Sequence, residues 1–123
     1  MATIVMANRH TDVPERTARK LETRGHSVTV VPSKMQALEL LRASLPDVLV
    51  IGDFLSDGYG VELFDALREM PGAGATKVVF LTVIGPDGDL MIPSRAFDAC
   101  VLLSCGPWQI LLTVESMLGC RNW

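Results

Sequence analysis

Five short runs, apolar at almost every position, divide the sequence: Thr3–Ala7, Val28–Val31, Val48–Ile51, Val78–Val83 and Val101–Ser104. A strand solvated on one face alternates apolar and polar residues, whereas a strand buried on both faces reads as a continuous apolar run. Longer amphipathic stretches separate the runs, so strand and helix alternate along the chain. Parallel strands joined by right-handed helical crossovers satisfy that order, with helices on both faces of the sheet. The expected fold class is therefore α/β, a five-stranded parallel sheet in a doubly wound (βα)5 arrangement. It forms a single domain over residues 1–123, with no internal repeat or linker.

Local signals place the helices. Asp12 precedes Pro14 and Glu15, an N-cap followed by an acid, and Gly25 supplies the stop. Ser33 and Gln36 form a capping box before Met35, Leu38, Leu41 and Leu45 at helical spacing, and Pro46 closes that segment. A third helix is expected from Val61 to Met70, after a loop over Phe54–Gly60. Two prolines and two glycines between Gly85 and Ser94 leave room only for a short helix near Ser94–Ala99. The last helix runs from Trp108 to Leu118 after Gly106-Pro107.

Composition narrows the function classes. The net charge is −3 and no lysine or arginine cluster breaks it, which argues against nucleic-acid binding by this domain. Aromatic residues make up 6%, too few for a base-stacking platform. No apolar run approaches the ~18 residues of a membrane span, and the N-terminus lacks the features of a signal peptide, so a cytoplasmic location without membrane contact is expected. Cys100, Cys105 and Cys120 have no metal-ligand spacing and read as small reduced core residues. The mean hydropathy of +0.32 is high for such a chain and leaves apolar surface for a partner.

Open parallel sheets bind ligands at the carboxyl ends of their strands. Those ends carry Asn8 and Arg9 after the first strand, Asp53 after the third, Thr82 at the end of the fourth, and Cys105-Gly106 after the fifth. A lone aspartate at a strand end often only caps a helix. Asp53 stands apart because the Thr82 hydroxyl is expected beside it, across the sheet.

The chain resembles the receiver domain of bacterial response regulators, over nearly its whole length. The resemblance lies in Ala37–Arg42, Leu45–Asp53 and Asp57–Leu63, with further matches at Val79–Thr82 and Gly106–Trp108. It implies a flavodoxin-like sheet and a place in two-component signalling or a phosphorelay, where a phosphoryl group passes from a kinase phosphohistidine to an aspartate. By position, Asp53 falls on the phosphoacceptor, Thr82 on the hydroxyl that binds the phosphoryl group, and Pro107 on the proline after the family's lysine.

The departures carry more information than the matches. The family's acidic pair, which holds Mg²⁺, falls on Asn8 and Arg9. Its lysine falls on Gly106, and its aromatic switch residue on Leu103. The loop after Asp53 is about one residue short. Phosphoryl transfer depends on positioning and charge neutralisation. Mg²⁺ demands near-octahedral oxygen ligands. An arginine in place of a carboxylate repels it, by ~4 kcal/mol per unit-charge pair at ~4 Å and an effective dielectric near ~20. The expectation is a pseudo-receiver: a non-catalytic signalling or scaffolding module, not an enzyme, without metal or cofactor. Arg9 is expected to pair with Asp53 where Mg²⁺ would sit.

Two alternatives remain. One is a phosphorylatable receiver with Asp53 as phosphoacceptor, for which Mg²⁺ would be needed. The other is a flavodoxin-like small-ligand binder, although neither Gly72-Ala73-Gly74 nor Gly85-Pro86-Asp87-Gly88 matches a phosphate-binding loop. The last helix bears on the leading reading. Glu115 is its one charged residue, and Ile110, Leu111, Leu112, Val114, Met117 and Leu118 exceed a single inward stripe. Leu111, Val114 and Leu118 are therefore expected to form a face for a protein partner or for self-association.

Overall fold

The structure, a computed structural model, describes residues 2–83, 88 and 97–119. In chain order the elements are β1 (Thr3–Ala7), α1 (Asp12–Glu22), β2 (Ser27–Val31), α2 (Lys34–Ala43) and β3 (Val48–Gly52). There follow β4 (Phe54–Leu55), β5 (Gly58–Tyr59), α3 (Gly60–Arg68), β6 (Lys77–Thr82), β7 (Ala99–Leu102) and α4 (Pro107–Met117). The main sheet has five parallel strands in the order β2-β1-β3-β6-β7. This is the flavodoxin-like doubly wound order, whose direction of winding reverses between β1 and β3.

The continuous apolar runs resolve into two cores by the period of two along a strand. Val5, Ala7, Leu49, Ile51, Val78 and Phe80 face α2 and α3, where Ala37, Leu41, Leu63, Phe64 and Leu67 meet them. Ile4, Met6, Val48, Val50, Val79 and Leu81 face the opposite way, against Leu21 of α1 and Ile110, Leu111 and Val114 of α4. Each fully buried leucine or isoleucine contributes about 1.5–3 kcal/mol. Phe80 links three rings, with centroids 5.6 Å from Phe64 and 5.4 Å from Phe97.

Several boundaries differ from expectation. Thr11, not Asp12, occupies the N-cap of α1, and its side chain makes no capping bond. Ser33 does cap α2, accepting from the Gln36 N–H, but α2 stops at Ala43 and Met35 is 66% exposed. Leu41 is buried as expected, with Leu38 and Leu45 packed beside it, and Ala37 takes the buried place expected of Met35. The segment expected as a loop after Asp53 holds the antiparallel pair β4–β5. The fifth strand begins at Ala99 and ends at Leu102, and residues 103–105 form a 3-10 turn. The short helix expected at Ser94–Ala99 lies outside the described residues up to Ala96, and Ala99 is already strand. Cys105 is exposed and Cys100 half-buried, so they are not both core residues, and Cys120 lies outside the described residues.

Candidate functional site

The reversal of winding opens a crevice at the carboxyl ends of β1 and β3. Asp53 follows β3 directly, and its backbone is held on both sides. Its N–H donates to Leu81 O at 3.2 Å, and its carbonyl accepts the Gly60 N–H at 2.9 Å. Its carboxylate Oδ2 accepts the Val83 N–H at 3.1 Å, and the Thr82 hydroxyl hydrogen-bonds to the same group. Burial pushes the Asp53 carboxyl above its ordinary value, and the Val83 and Thr82 bonds only partly offset this. The expected neighbourhood of Asp53 and Thr82 is thus present.

Asn8 and Arg9 leave β1 in different directions. Asn8 is buried. Its N–H donates to Val31 O at 3.1 Å, and its Nδ2 donates to His10 O at 2.6 Å. Its amide lies over Gly52: a Cβ on Gly52 would stand 1.7 Å from Asn8 Oδ1. Gly60 approaches from the far side, where a Cβ would stand 2.0 Å from Gly52 O. Only glycine fits these two approaches. Arg9 is exposed; its N–H donates to Phe54 O at 2.9 Å. The expected Arg9–Asp53 ion pair is not formed: none of the salt bridges among the described residues involves either side chain. The short backbone bond to Phe54 fixes the Arg9 main chain against β4 while its guanidinium stays in water.

On the other side of the crevice Gly106 caps α4 with φ 85°, in the left-handed region where a side chain is strained. The backbone here suits the glycine that stands where the family has its lysine. Leu103 lies in the 3-10 turn rather than on the strand, half-buried against the α1–α4 core. The acids after Asp53 serve the scaffold. Asp57 accepts the Lys34 and Met35 N–H groups at 2.6 and 3.0 Å, tying β4–β5 to the start of α2. The Lys34 bond chiefly holds its carboxyl below the ordinary value. Glu62 accepts the Tyr59 N–H at 2.7 Å. Behind the crevice, burial pushes the Cys100 thiol up, and the charge of Asp53 adds to the effect.

The partner face expected on the last helix is corrected. Leu111 and Val114 are each 0% exposed, covered within this one chain by the sheet and α1, and Leu118 is half-buried. The helix is apolar on most sides because Leu111 and Val114 fill one stripe while Leu112, 55% exposed, and Trp108, 57% exposed, stand outside it. Glu115 is buried too, accepting from Arg24 Nε at 2.7 Å with His26 Nε2 3.3 Å away. Sequence reasoning missed this clasp, and it missed the lock of Asn8 on Gly52. The glycine immediately before Asp53 was the available signal for the lock.

No family model matches the chain. A 14.6 kDa protein of Leptolyngbya boryana from the sodA1 3′ region, itself uncharacterised, is 30% identical over 96 residues, covering 77% of this chain and 73% of that protein. Among solved structures, a CheY-like response regulator receiver domain of Methylobacillus flagellatus superposes with a TM-score of 0.76 at 20% identity, covering 95% and 98% of the two chains. The chemotaxis response regulator CheY4 of Vibrio cholerae gives 0.80 at 15% identity, covering 95% and 98%. The signal receiver domain of a histidine kinase from Syntrophus aciditrophicus gives 0.80 at 17% identity, covering 97% and 91%. Among the described residues no helix is long and apolar enough to cross a membrane.

Proposed function

Since the chain belongs to the family of the Leptolyngbya boryana protein and folds as a response-regulator receiver domain, we propose that it works as a pseudo-receiver, a non-catalytic signalling module that acts through protein contacts. The donor set at the crevice carries this reading. A receiver's metal site needs clustered carboxylates, and here the two residues that follow β1 are a buried amide, Asn8, and an exposed cation, Arg9. Asn8 Nδ2 is committed to His10 O, and its Oδ1 is wedged over Gly52. These residues do not fit Mg²⁺, which seeks several oxygen ligands in octahedral geometry. Gly106 supplies no cation to neutralise an acyl phosphate, and Leu103 offers no aromatic switch.

A second reading has its own support. The Thr82 hydroxyl and the Val83 N–H already address the Asp53 carboxylate, as a phosphoacceptor requires. One experiment separates the two. The chain is incubated with acetyl phosphate and Mg²⁺, and its intact mass is measured. No phosphoryl adduct is expected. An adduct that disappears in Asp53→Asn overturns the pseudo-receiver reading. A cytoplasmic module without nucleic-acid or membrane contact remains part of the proposal.

A further inference from the structure

β2 forms one edge of the main sheet and pairs with β1 alone. Its register runs without a bulge from Thr3↔Ser27 to Ala7↔Val31. The Ser27 N–H donates to Ala2 O at 2.8 Å, and Val31 O accepts the Asn8 N–H at 3.1 Å. Along a parallel strand both backbone groups of a residue point to the same side, and successive residues alternate. Ser27, Thr29 and Val31 therefore turn their backbone groups to β1, while Val28 and Val30 turn theirs outward. Among the described residues no group bonds the outward N–H and carbonyl of Val28 or Val30. The side chains alternate as well. Ser27 and Thr29 are exposed, while Val28 and Val30 are half-buried at the rim of the core shared with α1 and α4. Native sheets blunt an open edge with a charge, a proline or a bulge. Ser27–Val31 holds none of the three.

We propose that β2 pairs with β2 of a second copy of this chain, antiparallel across a two-fold axis at Thr29, joining the two sheets edge to edge. The inference stands on the fold alone and goes beyond the pseudo-receiver reading. The edge is self-complementary. With the axis at Thr29, Val28 stands opposite the partner's Val30, and the two exchange both of their N–H to carbonyl bonds. The two-fold repeats that exchange on the other side of the axis. Thr29 meets the partner's Thr29 at the axis in the closer, non-hydrogen-bonded arrangement, a favourable cross-strand pair. Val28 and Val30 of both copies then cover one another and extend the core beneath α1 across the seam. No charge sits on the strand, so none is brought against its like. A contact of this isologous kind closes at two copies and leaves neither β2 edge open. A strand of another protein would meet the same backbone groups, but a second copy matches Val28 to Val30 and Thr29 to itself with nothing further required.

The test combines sedimentation equilibrium with amide hydrogen exchange on the full chain, from micromolar to millimolar concentration. Expected is a monomer–dimer equilibrium. The Val28 and Val30 amides should gain protection as concentration rises, while the Thr29 and Val31 amides, bonded within the chain, stay protected throughout. Thr29→Lys should weaken association by at least about tenfold, because it sets like charges against each other at the axis. Thr29→Glu should do the same, and an equimolar mixture of the two variants should restore the dimer. Thr29 is exposed, so both variants keep the fold, which circular dichroism checks. Leu112→Ser, away from the edge, should leave association unchanged. A monomer across the whole range overturns the proposal. So does a dimer whose Val28 and Val30 amides exchange at a rate independent of concentration, one that Thr29→Lys leaves intact, or one that the mixture fails to restore. An unrelated valine–threonine peptide that protects both amides while the chain stays monomeric also overturns it and makes the edge a docking strand for another protein. The two proposals fail separately: a phosphoryl adduct on Asp53 bears only on the pseudo-receiver reading, and a monomer bears only on the β2 edge.

Discussion

Asp53 and Gly52 are neighbours with opposite constraints. Burial raises the Asp53 carboxyl, so the native chain holds that proton to higher pH than the unfolded chain. The resulting stability is present below the unfolded value and is lost as pH rises through the raised native value. Asp53→Asn removes the buried charge while its Oδ1 still accepts from Val83. At pH 7 the variant should be more stable, by less than about 1 kcal/mol because the crevice is partly open, and Tm should rise by at most about 5 °C. At pH 3 the gain should vanish. Thermal melts at both values check this, and a lower Tm at pH 7 contradicts it. Gly52→Ala forces a methyl against Asn8 Oδ1 and should cost about 2–3 kcal/mol. Asn8→Ala in the same chain should return part of that loss, a coupling that a double-mutant cycle measures by denaturant titration.

Among the elements, α4 is held by an apolar stripe and by a polar clasp. Leu111→Ala should cost about 2–5 kcal/mol, since the site is closed on all sides. Glu115→Ala should cost about 1–3 kcal/mol, because it removes the acceptor that Arg24 Nε uses and the one nearest the buried His26 Nε2. Leu112→Ala, on the exposed side, should change stability by no more than about 0.5 kcal/mol. Urea titrations of the three variants rank them; equal effects at Leu111 and Leu112 would remove the stripe assignment. At α2 the capping is shared. Ser33 serves the Gln36 N–H and Asp57 the Lys34 and Met35 N–H groups. Asp57→Ala should speed hydrogen exchange at the Lys34 and Met35 amides while leaving the core amides protected.

Taken whole, the molecule keeps the receiver scaffold, and among the described residues no group of three or more histidine, cysteine, aspartate or glutamate side chains is placed to hold a metal ion. A ligand raises stability by RT ln(1 + [L]/Kd), so a site with no Mg²⁺ affinity leaves the melting temperature unmoved. Millimolar Mg²⁺ should shift Tm by less than about 1 °C, the same as matched ionic strength; a saturable rise abolished by Asp53→Asn would contradict this. On the pseudo-receiver reading, interaction falls to surfaces outside the crevice. Leu111 and Val114 are spent inside the chain.

The apolar runs sufficed to determine the parallel sheet and its two cores, because burial on both faces leaves no other pattern. The placement of Asp53 beside Thr82 was also legible, since strand ends in a parallel sheet converge. Side-chain direction was not. The main chain of Arg9 is held by the bond from its N–H to Phe54 O, made by a two-residue strand with no signal of its own, and its side chain is exposed rather than paired with Asp53. Whether Leu111 or Leu112 faces out depends on where α1 lies. The pairing of Glu115 with Arg24 joins residues 91 apart in sequence. Local patterns act within a turn or a strand; contacts between distant elements exist only once the whole sheet has brought those elements together.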